Sequence, residues 1–381
     1  MKRVYWRPRT VSQAVVALVA ILAIVGMGAV EFFRTPTKQP HYEQKIRAVE
    51  RAIESAKIIK ETRISYGLSI DSEVDLSESG LIGAQMTPIT TVPGHLPAKQ
   101  LSTNPNFAAV LYDMLLECGV EEGDLVAVGC SGSFPALNLA AYAAMEELKV
   151  NPVIISSAGA SQFGANFPEL LWIDMESKLY DAGLIHFRSV ACSVGGREDA
   201  GLNLPPEGQT IVDTAIKRNN LKPIDTDDFL ESIDTRMKIY DQHSRGNDYK
   251  CYINVGGGTV SVGRSVGKKL YHPGLNTNPS SRALAVDSVM SRFARRGTPI
   301  IHLVQIEQLA QEYGLETPQG PEPAIGQGIV FLQDERNRWL ALGVLIVLLI
   351  SLRALVLTDL GFRLFKGRPG KKTTGEPEPM V

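Results

Sequence analysis

The sequence predicts an α/β protein with a doubly wound, mainly parallel sheet, flanked by N- and C-terminal transmembrane helices. Three observations carry this. Two long apolar runs lie near the ends, short β-branched runs alternate with amphipathic helical patterns between them, and Gly and Ser recur where the β-branched runs stop. The 381 residues are 44% hydrophobic and 21% charged, ordinary globular usage that averages over those two outlying runs.

The first run, residues 11–30, contains no charged residue and has about the length needed to cross roughly 30 Å of hydrocarbon. Gly26 and Gly28 offer small residues before a signal-peptide cut, but the run exceeds the usual apolar core of a signal, about 7 to 15 residues. An uncleaved anchor is the better reading. The second run, residues 339–357, is interrupted only by Arg353, which lies close enough to one end to snorkel. Lys2, Arg3, Arg7 and Arg9 precede the first run, and Arg363, Lys366, Arg368, Lys371 and Lys372 follow the second. The positive-inside rule then puts both termini in the cytoplasm and the intervening chain outside it. The expected organisation is a cytoplasmic basic segment (1–10), a span (11–33), a linker with an amphipathic helix and an irregular segment (34–103), an extracytoplasmic α/β domain (104–336), a second span (337–358) and a cytoplasmic tail (359–381).

The formal net charge is −2, from 39 Lys and Arg against 41 Asp and Glu. Because the flanks are mostly basic, the part between the apolar runs is acidic, which argues against nucleic acid as a partner. One stretch departs from this. Arg264, Lys268, Lys269, Arg282, Arg292, Arg295 and Arg296 accompany only Asp287 in residues 264–296, either as one basic face or spread over solvated surfaces.

In chain order, "RTPTKQPH" is a proline-punctuated linker. Ile46, Val49, Ile53, Ala56 and Ile59 mark an amphipathic helix over 42–63, a stalk or part of the globular domain. Residues 80–103, rich in Gly, Pro and Thr, read as a lid or structural wrap. A helix over 105–118 follows, with Asn104 as its cap and Gly119 beyond its end. The alternation then runs strand 125–128, helix 134–148, strand 153–156, helix 168–181, strand 185–191, helix 207–219, helix 227–243, strand 249–255, helix 280–296 and strand 299–304. Short apolar strands separated by amphipathic helices imply a parallel sheet covered on both faces.

Four strand ends, "VAVGCSGSFP", "VIISSAGASQFGANFP", "SVACSVGGRED" and "YINVGGGTVSVG", lead into Gly and Ser. In an open parallel sheet these ends line one edge, where ligands bind and where helix N-termini and backbone amides favour anions. Gly129, Gly132, Ser133, Ser156, Ser157, Gly159, Gly256, Gly257, Gly258 and Thr259 are therefore candidate ligand-binding residues, with Arg264, Lys268 and Lys269 as cationic partners. Tight turns and caps demand the same residue types.

For catalysis the first candidate is Ser131. Gly129, Cys130, Ser131 and Gly132 follow the nucleophile-elbow pattern, but Ser133 stands where the pattern has its final glycine. Cys130 is the rival nucleophile, since a thiol at a helix N-terminus has a lowered pKa. Of the six histidines only His272, in "LYHPGLN", is a candidate base. The four cysteines, Cys118, Cys130, Cys192 and Cys251, show neither C-x-x-C nor zinc spacing, so no metal is expected. In an oxidising compartment they allow one or two disulfides of undetermined pairing. "INVGGGTVSVG" has the look of a phosphate loop, yet Asn254 stands where an acidic residue would be needed and no Walker motif is present. No cofactor is expected.

The bracketing apolar runs together with "VAVGCSGSFPALNLAAYAAMEELK", "VIISSAGASQFGANFPELLWIDME" and "INVGGGTVSVG", in that order, resemble the poly-γ-glutamate system protein family over nearly the whole chain. The resemblance implies a protein of the bacterial cell membrane and envelope that acts with a poly-γ-glutamate synthase and its export subunits. It carries no established catalytic residues onto this sequence. Two classes of function remain open. One is an accessory subunit that binds anionic polymer or organises its partners. The other is an extracytoplasmic serine or cysteine hydrolase or transferase acting on γ-glutamyl or cell-wall amide bonds.

Overall fold

The computed structural model describes residues 13–226 and 228–357. The basic segments expected at 1–10 and 359–381 lie outside the described residues, as does Asp227, the expected first residue of one helix. The chain divides into two compact units, residues 38–332 and the two ends together.

The unit formed by the ends contains helix α1 (Gln13–Phe32), strand β1 (Arg34–Lys38), strand β11 (Leu332–Arg336) and helix α14 (Arg338–Leu357), with β1 and β11 in a two-stranded sheet. The two helices touch, and a Cβ at Gly26 would come within 2.5 Å of Val344 Cγ1, so the small residue sets how closely they approach. Side chains are described for 16–32 and 338–354, and among the described residues no helix is long and apolar enough to cross a membrane.

The larger unit carries α2 (Tyr42–Ser65), α3 (Leu96–Ser102), α4 (Phe107–Glu117), β2 (Leu125–Ser131), α5 (Pro135–Leu148), β3 (Asn151–Ser157) and a small hairpin of β4 (Asn166–Phe167) and β5 (Leu170–Leu171). It continues with α6 (Trp172–Asp181), β6 (Ser189–Ser193), α7 (Pro206–Arg218), β7 (Lys222–Ile224), α8 (Phe229–Ser244) and β8 (Cys251–Val255). The last elements are α9 (Thr259–Val262), α10 (Arg264–Gly267), β9 (Gly274–Asn276), α11 (Ser281–Ala285), α12 (Val289–Arg295), β10 (Ile300–Leu303) and α13 (Ile306–Tyr313). Seven strands form one sheet in the order β7-β6-β3-β2-β8-β10-β9, all parallel except β9, which runs antiparallel to β10.

Period-two patterning divides the core between the two faces of this sheet. Val126, Val128, Ile154, Ile253 and Ile301 pack on one side with α2, α4, α5 and α6, whereas Ala127, Val153, Ile155, Tyr252 and Ile300 pack on the other with α8 and α12. The connections after β2, β3 and β6 cover the first face, and those after β7 and β8 cover the second. The chain therefore reverses its winding between β2 and β8, the position where open α/β sheets place their ligands.

Several boundaries differ from expectation for identifiable reasons. The strand expected over 185–191 is β6 at Ser189–Ser193, because Ile185 is buried against the helical layer instead of pairing in the sheet. The helix expected over 280–296 is two helices. Ser288 restarts the chain with its hydroxyl accepting from Ser291 N–H and the Ser291 hydroxyl accepting from Ser288 N–H, both at 3.0 Å. The helix expected over 168–181 begins at Trp172, after the β4/β5 hairpin. Helix α2 belongs to the α/β unit and buries Ala48, Val49, Ala52 and Ile59.

Candidate functional site

The carboxyl ends of β2, β3, β6 and β8 border a crevice of about 500 Å³. Its floor is Ser131 and Ser157, which are register partners on β2 and β3. One side is the loop after β6, with Gly195, Gly196, Arg197 and Asp199, and the other is Gly257, Gly258, Thr259 and Lys268 after β8. The fourth side comes from the wrap at 80–103, which supplies Thr91–His95 and Lys99. The wrap is pinned by Thr91 N–H donating to Ala160 O at 2.8 Å and Gln162 N–H donating to Val92 O at 3.0 Å.

The loops around this edge are conformationally demanding. Glu198 and Asp199 have φ of 56° and 65°, Gln305 after β10 has 48°, and Arg264 has 61°, all left-handed without being glycine. Such residues cost about 1–3 kcal/mol each and persist where surrounding structure fixes them. Asp199 shows what fixes it. Its carboxylate accepts from Arg236 Nη2 and Ser193 Oγ at 2.7 Å and from Ser232 Oγ at 2.9 Å, with the Arg236 and Asp199 side chains 6% and 9% exposed. The buried pair holds the β6 loop against α8.

The predicted residues fall into distinct groups. Ser131, Ser133, Ser157, Gly159, Gly257, Gly258, Thr259 and Lys268 line the crevice together. Ser156 faces away and shares a hydrogen bond of 2.7 Å with Ser189 in the buried layer. Gly129, Gly132 and Gly256 serve close packing. A Cβ at Gly129 would lie 2.5 Å from the Tyr252 hydroxyl, one at Gly132 2.9 Å from Ala158 O, and Gly256 (φ 84°) brings the β8 end against Ser131. Arg264 is bound to Glu198 through Nε at 3.0 Å and Nη2 at 2.8 Å and covers the Phe229 ring, and Lys269 does not line the crevice. The basic stretch is instead ion-paired at its far end: Arg292 to Asp287 and Asp234, Arg295 to Asp287, and Arg296 to Asp241.

Cys130 departs most from the sequence reading. It is buried, its thiol lies 3.7 Å from the Tyr142 hydroxyl, and burial pushes its pKa up, the reverse of the activation expected at a helix N-terminus. Tyr142 in turn donates to Glu176 at 2.5 Å, and burial raises that carboxyl as well. His272 does not line the crevice with Ser131; it precedes the edge strand β9, which β8 and β10 separate from β2. Its backbone is held by Asn276. The four cysteines are free thiols, and no group of three potential metal-ligating side chains occurs among the described residues. Asn254 donates to Gly256 O at 2.6 Å and contacts His302 Nδ1 at 3.0 Å, a buried pair in which desolvation lowers His302 to about 4.

The residues that sequence reasoning missed are Lys99, Ser161, Arg197 and the Arg236–Asp199 pair. Lys99 is 3% exposed, and its amine donates to Ser133 O and, at 2.9 Å, to Ser161 Oγ, while sitting 3.7 Å from the centroid of the Phe134 ring. Burial lowers its pKa to about 7, and no carboxylate bonds to the amine among the described residues. The signals were present but dispersed. Lys99 lies in the wrap, two residues after Pro97 at the start of α3, and Ser161 closes the quoted "SSAGAS" loop.

Fold and site together define an α/β protein with a hydroxyl-rich crevice, bordered by Lys99, Arg197 and Lys268, at its switch point. No family model matches the chain, nor does any curated protein or solved structure.

Proposed function

We propose that the protein is a membrane-anchored accessory component of poly-γ-glutamate synthesis or export that holds the anionic polymer in the switch-point crevice. The observation that carries this is the charge lining one crevice. Lys268 and Arg197 converge there, and Asp199, the carboxylate among the crevice-lining residues, is already paired with Arg236. Neither Lys268 nor Arg197 has an ion-pair partner among the described residues. Cations without counter-charges in a concave site attract carboxylates, and the hydroxyls of Ser131, Ser133 and Ser157 offer further donors. The acidic remainder of the domain keeps polymer from coating it.

Membrane attachment rests on the two apolar runs of the sequence. Each run has about the number of residues a membrane crossing needs, read from the sequence alone. The flanking basic residues orient both termini to the cytoplasm. The polymer, the synthase and the export partners come from the resemblance of the quoted motifs.

The test is retention of γ-linked polyglutamate by the purified full-length chain at low and moderate salt. Lys268→Glu and Arg197→Glu are each expected to weaken retention about tenfold, corresponding to roughly 1.4 kcal/mol, with the wild-type signal falling as salt rises. Retention unchanged by both reversals overturns the reading.

A further inference from the structure

Anion binding leaves one pair of crevice side chains unused. Ser161 lines the crevice, and its Oγ lies 2.9 Å from Lys99 Nζ, deep under the wrap, with no carboxylate bonded to the amine among the described residues. Resting on the carboxylate-crevice reading above, we propose that Ser161 and Lys99 form a nucleophile and general-base dyad that hydrolyses amide bonds of the polymer seated in the crevice.

The hydrogen-bond geometry suits the two roles. A neutral amine has two N–H donors and one lone pair. Lys99 Nζ donates to Ser133 O and to Ser161 Oγ at 2.9 Å under the Phe134 ring, and loss of the proton shared with Ser161 leaves the lone pair facing that hydroxyl. Ser161 is held from behind, because its backbone N–H donates to Ser133 Oγ at 3.0 Å. Ser131, the elbow serine, has no such partner: its hydroxyl accepts from Ser133 N–H at 3.2 Å. An ammonium at Lys99 would be stripped of water without a counter-charge, and this desolvation brings its pKa to about 7, so the base form is populated at neutral pH.

The chemistry balances within the site and water. Ser161 Oγ bonds to the amide carbon as its proton passes to Lys99 Nζ. The carbon–nitrogen bond then breaks as Lys99 returns that proton to the departing amine. A water molecule next attacks the ester and gives a proton to Lys99. Cleavage of the carbon–Oγ bond, with that proton restored to Ser161, releases the carboxylic acid.

The charged groups around Lys99 do not compete for its titration. Glu307 comes from α13 and is bonded to His95 Nδ1 at 2.8 Å. Arg197 and Asp199 come from the β6 loop, with Asp199 paired to Arg236, and Lys268 follows α10. Burial alone accounts for the shift at Lys99.

The experiment treats the full-length chain in detergent with a fluorophosphonate probe from pH 5 to 9 and maps the modified residue by peptide mass. The dyad predicts modification at Ser161, with a rate that rises about tenfold per pH unit below pH 7 and then levels. It predicts loss in Ser161→Ala and in Lys99→Arg, which keeps a cation but supplies no base, and retention in Ser65→Ala, an exposed serine at the end of α2 away from the crevice. Thermal melts establish that each variant is folded, and should Lys99→Arg be misfolded, the pH profile of the wild type decides. Modification at Ser131, or none at Ser161 at any pH in the folded wild type, overturns the proposal. The two readings separate cleanly. Polymer retention without Ser161 modification sinks the dyad alone, and Ser161 modification without polymer retention or cleavage sinks the polymer as substrate.

Discussion

Lys99 ties the site's chemistry to stability. In the unfolded chain a lysine keeps its proton to about pH 10.4, whereas the folded protein releases it near 7. Between those values unfolding takes up a proton, so this group makes stability rise with pH across that window. Lys99→Met should therefore gain most, relative to wild type, at pH 6, and the gain should shrink towards pH 10; melts showing a pH-independent difference would contradict the burial of a lone amine. His302 works the acid side. Its folded value of about 4 lies below the ordinary 6.5, so stability falls as pH drops from 6.5 towards 4. His302→Gln should flatten that limb of the melting curve. Removing one member of the Arg236–Asp199 pair leaves a buried charge uncompensated, and Arg236→Met is expected to cost about 3–5 kcal/mol in denaturant unfolding. The sequence revealed residues whose type is diagnostic at a strand end, such as Ser131, Ser157 and Gly257. It could not reveal Lys99, whose importance comes from burial beneath a segment without regular periodicity, nor that Cys130 points into a sealed layer.

At the scale of elements, the strands and their alternation were legible because parallel strands buried on both faces spell out apolar runs, as in "VAVGC" and "YINV". Short edge strands β7 and β9, of three residues each, carry too little pattern to be read. The basic stretch after β8 misled for a tertiary reason. Asp234 and Asp241 on α8 are distant in sequence and reach Arg292 and Arg296 only through helix packing. Between α1 and α14, Gly26 meets Val344. Gly26→Leu should separate the two helices, and a disulfide engineered between α1 and α14 near this contact should form in the parent and fail in the variant.

For the whole molecule, the winding reversal between β2 and β8 explains why one crevice gathers loops from four strands, while the wrap at 80–103 closes its fourth side. Membrane topology is testable apart from chemistry: protease added to intact spheroplasts should degrade the 38–332 unit if it lies outside the cytoplasm, and full protection would remove the polymer from its reach. The most direct measurement of the central claim is a crystal structure of the protein with a short γ-linked glutamate oligomer. The account predicts carboxylate oxygens within hydrogen-bond distance of Lys268 and Arg197, with an amide carbonyl over Ser161. An oligomer bound elsewhere on the surface, with this crevice empty, would contradict it.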